Sequence, residues 1–298
     1  MPAVVEPVRR SQPAEAEPIS QASAAPEPIV RPSSPTPSSV TPDWYAAWQD
    51  TTSPDVWARQ QRLIQIVGDG EAFFRAEIIE TLKAGALLKD DPGAPGWAAK
   101  RLFASVHELG LIEEIDGGYG ASVPKAITLT VKGRAVYEHL TGRALPRSPW
   151  ARLVDRHKTP EHTVLNLLAR TVLRRFQYTL IELFPEAQRT PTGSIVIPDL
   201  TAVSPQGEHL LIECERLAKH RTADERRNKW GDLAALTQGQ FHVVVPGRQQ
   251  ERDLITELSQ WILETGMKRA NPSVCQYLSA IRPEARSPWT YTTAWRIA

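Results

Sequence analysis

The sequence predicts an α/β protein in which a mixed β-sheet follows a smaller, mainly helical domain and a disordered tail. Three observations predict this architecture: a proline-rich start over residues 1–53, apolar residues at helical spacing over 54–142, and apolar runs alternating with helical stripes over 159–298. The 298 residues suit two domains plus additional chain. A formal net charge of +1 does not select a class of partner.

The first 42 residues contain ten of the chain's 25 prolines and lack the aromatic residues that build a core. Such a segment cannot bury enough apolar surface to offset the entropy lost on ordering, so we predict disorder, with the boundary at residue 53. No signal-peptide core and no run of 18 apolar residues is found, which favours a soluble, cytoplasmic protein. The two cysteines give neither a disulfide framework nor zinc-site spacing.

Residues 54–142 carry the pattern of three helices followed by a β-hairpin. The apolar spacing predicts helices over 56–67, 73–82 and 96–109, then strands over 111–115 and 126–130 with glycines between them. Three helices and a hairpin predict a winged-helix domain. The segment LTVKGRAVYEHL, residues 129–140, resembles the "LTxKG" ending that many bacterial winged-helix regulators show after the wing.

The third predicted helix is the expected reader of the DNA major groove. Lys100 and Arg101 would contact phosphates or base edges, and Lys125, Lys132 and Arg134 would meet the flanking backbone. Residues 95–158 hold ten Lys or Arg against six Asp or Glu, a modest positive surplus. Winged helices also dock proteins, so DNA binding and protein docking both stay open. Residues 143–158 are predicted to be a basic interdomain linker.

Carboxylates gather in the segment from Ile195 to Lys219. It is predicted to form two strands joined by a turn at Ser204-Pro205-Gln206-Gly207, which pairs Asp199 with Ile212 or Glu213. Glu213 and Glu215 share a face because side chains alternate along a strand. Three acids on one patch repel one another unless a cation lies among them, so the pattern predicts a metal site.

These residues resemble the PD-(D/E)xK nuclease superfamily. Pro198-Asp199 fits the first half of its signature and Glu213 the acid, whereas Glu215 stands where the family usually has Lys. Glu213-Cys214-Glu215, followed by Lys219, is similar to the E-x-E form of plasmid replication-relaxation proteins.

The resemblance implies a restriction-endonuclease-like core with a mixed sheet and a site that hydrolyses phosphodiester bonds. Asp199 and Glu213 would coordinate Mg²⁺ (or Mn²⁺), Lys219 would supply the ammonium, and Glu215 would hold a second ion or orient Lys219. Glu161, in the first turn of a helix that begins at Thr159-Pro160, would be an additional acid aimed at the metal. His162 is the neighbouring alternative, and Glu161 serves equally well as an acid that complements the helix dipole.

After the hairpin, Thr222 is predicted to cap a helix, residues 241–245 to form a buried strand, and residues 254–263 to form another helix. A group of basic residues follows the acidic strand closely, as a phosphodiester ligand would require: Arg216, Lys219, His220, Arg221, Arg226, Arg227 and Lys229. Within this group, Arg226 and Arg227 are predicted to be ordinary helix surface.

Three functional hypotheses follow. The first is a DNA-binding, metal-dependent nuclease of mobile-element type, acting in plasmid replication, relaxation or transfer. The second is a catalytically inactive DNA-binding regulator of replication, transfer or transcription. The third is a protein-interaction module. DNA is the expected partner, a protein bound through the N-terminal tail and a second copy of the chain (a homodimer) are further candidates, and no membrane partner is expected.

Overall fold

The computed structural model describes residues 43–89, 96–145, 147–217, 222–267 and 270–292. All of these described residues belong to one compact unit. The elements of its N-terminal half are α1 (Asp43–Thr51), α2 (Pro54–Asp69), α3 (Arg75–Ala84), α4 (Trp97–Glu108), β1 (Ile112–Ile115), β2 (Ala126–Leu129), α5 (Val131–Thr141) and α6 (Pro149–His157).

The C-terminal half contains the larger sheet. Its elements are α7 (Pro160–Arg175), β3 (Thr179–Glu182), β4 (Gln188–Arg189), β5 (Ile195–Val196), β6 (Leu200–Val203), β7 (His209–Cys214), α8 (Ala223–Leu236), β8 (His242–Val245), α9 (Arg248–Thr265), β9 (Ser273–Gln276), α10 (Tyr277–Ala280) and β10 (Tyr291–Thr292). The fold is therefore mixed α/β, as the sequence predicts.

The six-stranded sheet has the order β10-β9-β8-β7-β6-β3. Strands β7, β8 and β9 are parallel to one another, whereas β6 pairs antiparallel with both β7 and β3. The predicted mixed sheet is confirmed. One face packs on α7 through Leu200, Ala202, Ile212 and Val244, and the other packs on α8 and α9 through Leu211, Val243 and Val245.

Helix α7 lies at the centre of the molecule. The apolar spacing of Leu165, Leu168, Val172 and Phe176 predicts a single buried stripe along it, but the side chains from Thr163 to Arg170 are all buried. The reason is that the 54–142 segment covers the face of α7 opposite the sheet, where Phe73, Phe74 and Val123 join the same apolar core. Arg170, on this covered face, donates hydrogen bonds to the carbonyls of Gly70 and Glu71 at 3.3 and 2.6 Å.

Two stretches differ from their predicted character. Residues 43–51, placed in the disordered tail, form α1, because Tyr45 and Trp48 are buried and pack edge-on against Trp57 of α2. Within the predicted linker, Ser148 accepts a hydrogen bond from the Ala151 N–H and Pro149 occupies the first turn, so helix α6 begins there. Its last residue, His157, is buried.

Candidate active site and metal centre

The hairpin of β6 and β7 brings Asp199 opposite Glu213. Leu200 pairs with Ile212, so continuing the antiparallel register by one residue places Asp199 across from Glu213. The turn forms at the predicted residues: the Gly207 N–H donates a hydrogen bond to the Ser204 carbonyl at 2.9 Å. The backbone N–H of Cys214 donates to Asp199 Oδ2 at 2.8 Å, which fixes the carboxylate against β7.

Two histidines face the Asp199 carboxylate from neighbouring helices. His162 Nε2, in the first turn of α7, lies 3.0 Å from Asp199 Oδ2. His157 Nδ1, at the end of α6, lies 3.6 Å from Asp199 Oδ1, which exceeds hydrogen-bond length. One ligand atom from each of the three residues lies within 4.8 Å of the other two. This arrangement could hold a metal ion.

A lysine approaches the second carboxylate. Lys229 Nζ, from the second turn of α8, donates to Glu213 Oε2. The other carboxylate oxygen, Glu213 Oε1, is buried and has no hydrogen-bond partner among the described residues. The same holds for Nε2 of His157. Asp199, Glu213 and Lys229 thus bring two acids and one ammonium to the ends of two adjacent strands.

Burial controls the electrostatics of this cluster. Burial raises the pKa of Glu213, Lys229 opposes that rise, and the nearby Asp199 charge adds to it. Burial also acts to raise the pKa of Asp199, but the hydrogen bond with His162 and the charge of Lys229 outweigh burial and hold the pKa below its ordinary value. The two carboxyl groups therefore differ: the pKa of Asp199 is held below its ordinary value, and that of Glu213 is raised above it.

His157 is held neutral by its surroundings. Burial lowers its pKa to about 4, although the Asp199 charge acts in the opposite direction. A neutral imidazole can accept a metal ion, whereas a protonated one cannot.

Glu161 does not join the Asp199 cluster. Its side chain is 46% exposed and pairs with Arg216, whose Nη1 lies 3.2 Å from Glu161 Oε2. Arg216 also donates to Thr159 Oγ1 at 3.2 Å. The structure therefore brings His162, the sequence alternative, to Asp199 and places Glu161 at the rim.

The connection between β1 and β2 reaches this rim. The Tyr119 hydroxyl donates to the backbone carbonyl of Glu161 at 2.7 Å. A Cβ atom added at Gly117 would lie 2.7 Å from Cγ1 of Val164 in α7, so the glycine permits this close approach. The predicted wing therefore contacts the helix that carries His162.

Glu215 is buried but turns toward another group of residues. Its Oε1 accepts the N–H of Leu217 at 2.8 Å, where the chain has a left-handed φ of 51°. Its charge also acts on Arg226, which makes two hydrogen bonds with Glu257 of α9 at 3.0 and 2.8 Å. Lys219, predicted to supply the ammonium, lies outside the described residues, together with His220 and Arg221.

The basic residues predicted to meet DNA have distinct environments. Lys100 and Arg101 are exposed on α4, and the Arg101 guanidinium lies 4.5 Å from the centre of the exposed Trp97 ring. Lys125 lies 3.8 Å from the Asp116 carboxylate. Lys132 donates to the Leu109 carbonyl at 2.8 Å, and Arg134 is partly buried in the first turn of α5.

Sequence reasoning assigned no site role to His157 and placed Lys229 only among the basic residues that suit a phosphodiester ligand, yet both positions carry a readable signal. Ser148-Pro149 repeats the hydroxyl-cap and proline pattern of Thr159-Pro160, and His157 lies one turn after the buried Leu153. Lys229 precedes the inward Trp230 and lies four residues before the inward Leu233. A lysine on an apolar helix face requires an acidic partner, and Glu213 is that partner.

Comparison of the chain with protein-family models, curated proteins and solved structures gives no match. Within the described ranges, none of the helices combines the length and the apolar character needed to cross a membrane.

Proposed function

We propose that this protein binds DNA and hydrolyses phosphodiester bonds at the Asp199 cluster, as a nuclease-like protein of mobile-element type that acts in plasmid replication, relaxation or transfer. The observation that carries the proposal is the meeting of Asp199, Glu213 and Lys229, two acids and an ammonium from a hairpin and the helix that follows it. The signature resembled by the sequence requires this combination, and Lys229 supplies the ammonium from α8.

The element order supports the same proposal. From α7 to α9, a helix, a sheet strand (β3), the hairpin strands β6 and β7, a helix, a parallel strand and a helix follow one another, with the short strands β4 and β5 between β3 and the hairpin. Apart from β4 and β5, this is the order expected of a restriction-endonuclease-like core. Helices α2, α3 and α4 followed by the β1–β2 hairpin have the order of a winged helix. DNA would then meet the exposed face of α4, because the β1–β2 connection is engaged with α7.

A divalent ion in such a site activates water and offsets the charge of the phosphate. The resemblance implies Mg²⁺ (or Mn²⁺), but the gathered donor set does not fit Mg²⁺, because two of the three donors are imidazole nitrogens and Mg²⁺ prefers oxygen. We therefore assign roles only to the chain's own groups. Lys229 holds the Glu213 carboxylate in place, and Arg216, partly exposed at the rim, offers a guanidinium to a phosphate.

A cleavage assay on supercoiled, linear and single-stranded DNA, with Mg²⁺, Mn²⁺, Co²⁺ or Zn²⁺, tests the proposal. Asp199→Asn keeps an oxygen that can accept the Cys214 N–H, so this variant should stay folded, lose cleavage and keep its affinity for duplex DNA. Glu208→Gln, an exposed change in the same hairpin, is the matched control and should cleave normally. Equal cleavage by the Asp199→Asn protein would refute the catalytic assignment.

The inactive regulator is the second candidate function, and burial favours it. Asp199 and Glu213 are only 7% and 5% exposed, and their oxygens already meet His162, the Cys214 N–H and Lys229. Such a network stabilises a fold without any reaction. Duplex binding by the wild-type protein, without cleavage under any of the four cations, would select this function.

A further inference from the structure

We infer that His157, His162 and Asp199 form a site for a first-row transition-metal ion that accepts imidazole nitrogen, such as Zn²⁺, Fe²⁺ or Mn²⁺, in place of Mg²⁺. The inference deepens the proposed function by naming the cation class of the same site. It depends on the geometry of three side chains and does not require that the protein cleave DNA.

The separations suit one shared ion. Two ligands bonded to one metal at about 2.0–2.2 Å lie roughly 3–4 Å apart. Asp199 Oδ2 and His162 Nε2 are 3.0 Å apart, and Asp199 Oδ1 and His157 Nδ1 are 3.6 Å apart. The widest separation among the three ligand atoms is within 4.8 Å, so a rotation of one ring that moves its nitrogen by up to about 1 Å completes the set.

Hydrogen bonding alone leaves this cluster incomplete. The separation of 3.6 Å between His157 Nδ1 and Asp199 Oδ1 is too long for a hydrogen bond, although the His157 side chain is only 2% exposed. A cation between these two atoms would give Nδ1 a ligand at this buried position. His157 Nε2, on the other side of the ring, has no partner among the described residues and would not meet the same ion.

Hydrogen bonds hold two of the three donors in place, as outer contacts do at metal sites. The Cys214 N–H fixes Asp199 at 2.8 Å. The backbone N–H of His162 donates to Thr159 Oγ1 at 3.2 Å, and Asn166 Nδ2 donates to the His162 carbonyl at 2.9 Å, so the backbone that carries His162 is fixed. His157 is positioned by its place as the buried last residue of α6.

Charge favours a divalent ion at this position. Lys229 pairs with Glu213, so Asp199 is the carboxylate that faces the two imidazole rings. Two nitrogens and one carboxylate are a common ligand set for Zn²⁺ and Fe²⁺, and the affinity of such a set rises from Mn²⁺ toward Zn²⁺. Mg²⁺ does not favour nitrogen ligands.

The experiment uses the full chain and Co²⁺ as the spectroscopic probe, with Mn²⁺, Zn²⁺ and Mg²⁺ compared by titration calorimetry. We expect one equivalent of Co²⁺ to bind with the visible absorption of nitrogen coordination, and Zn²⁺ and Mn²⁺ to bind at least tenfold more tightly than Mg²⁺. His162→Gln, at a partly exposed position, should weaken Co²⁺ binding at least tenfold, and Asp199→Asn should do the same. His209→Gln, an exposed histidine at the start of β7, should bind as the wild type does.

Equal affinity for Mg²⁺ and Co²⁺, or Co²⁺ binding unchanged by His162→Gln, would overturn the inference. The outcomes separate the two proposals. Co²⁺ binding that depends on His162, without any DNA cleavage, supports the metal site and removes the nuclease function. Mg²⁺-dependent cleavage that is indifferent to His162→Gln supports the nuclease function and removes this metal site. His157→Gln is an additional variant, used only if its circular dichroism matches that of the wild type.

Discussion

The Lys229 ammonium donates a hydrogen bond to the buried Glu213 carboxylate, although the two residues lie 16 positions apart and on different elements. The side chain of Glu213 is 6% exposed and that of Lys229 is 27% exposed. A buried carboxylate that loses its partner is left with an uncompensated desolvation cost. The free energy of unfolding and the proposed activity should therefore both depend on this pair.

Replacing Lys229 by Met should lower the free energy of unfolding by about 3 kcal/mol, because Glu213 would remain buried and unpaired. It should also abolish cleavage while leaving duplex affinity nearly unchanged. Urea denaturation and the cleavage assay measure the two effects. The double variant Lys229→Met with Glu213→Gln should regain most of the stability but no activity.

Arg227→Met is the matched control in the same helix. Arg227 pairs with Glu264, whose side chain is 48% exposed, so its loss should cost less than about 1 kcal/mol. A loss of stability in Arg227→Met as large as that in Lys229→Met would contradict the special role of the Glu213 pair.

The stability of the protein should increase with pH on the acid side, and His242 should account for part of the increase. Burial lowers the pKa of His242 to about 4 from its ordinary 6.5, so between these values the unfolded chain binds more protons than the folded one. The free energy of unfolding then rises as pH increases through this interval, by about 3 kcal/mol for such a shift. His242→Gln should flatten the profile measured by urea denaturation from pH 4 to 7.

His157 contributes in the same direction, so a reduced slope should remain in the His242→Gln protein. The Glu213 carboxyl contributes in the opposite direction, because its raised pKa makes the folded state bind the extra proton. An unaltered slope in His242→Gln would show that another group controls the acid transition.

Removing both exposed cations of α4 should weaken DNA binding. In the double variant Lys100→Ala with Arg101→Ala, the slope of log affinity against log salt should fall by about 0.9 for each phosphate that these side chains neutralise in the wild-type complex. Fluorescence anisotropy over a salt series on duplex DNA measures this slope. Arg252→Ala, on α9, is the control and should keep the wild-type slope. An unchanged slope in the α4 variant would mean that this helix docks a protein or simply packs.

The loss of stability caused by a side chain at position 117 should depend on the size of the side chain at position 164. Gly117→Ala places a methyl group 2.7 Å from Cγ1 of Val164, so the variant should be destabilised by roughly 1–3 kcal/mol. In the double variant Gly117→Ala with Val164→Ala, part of the lost stability should return. Thermal unfolding of the single and double variants measures the difference. Equal destabilisation in the double and single variants would show that the contact with α7 is not the cause.

Gly231→Ala provides the opposite case within α8. A Cβ atom at Gly231 meets no atom within 4 Å, so Ala should raise the free energy of unfolding by roughly 0.5–1 kcal/mol. Urea denaturation of this variant beside the wild type measures the gain.

The local chemistry of the chain determined most of the elements. The Thr159-Pro160 and Thr222 caps and the Ser204–Gly207 turn placed the starts of α7 and α8 and the hairpin turn where the sequence predicts them, because caps and turns depend on neighbours in sequence. The hairpin register alone was sufficient to bring Asp199 opposite Glu213. The mixed sheet followed from the order of helices and strands.

Tertiary structure alone decided which side chains complete the site. His157 and Lys229 reach the two carboxylates from α6 and α8, and their positions depend on how these helices pack on the sheet. Glu161 and His162 are adjacent in sequence, yet only His162 faces Asp199, since one residue turns a helical side chain by about 100°. The burial of α7 on both faces required the 54–142 segment to fold onto it, and such long-range contacts leave no periodic signal in the sequence.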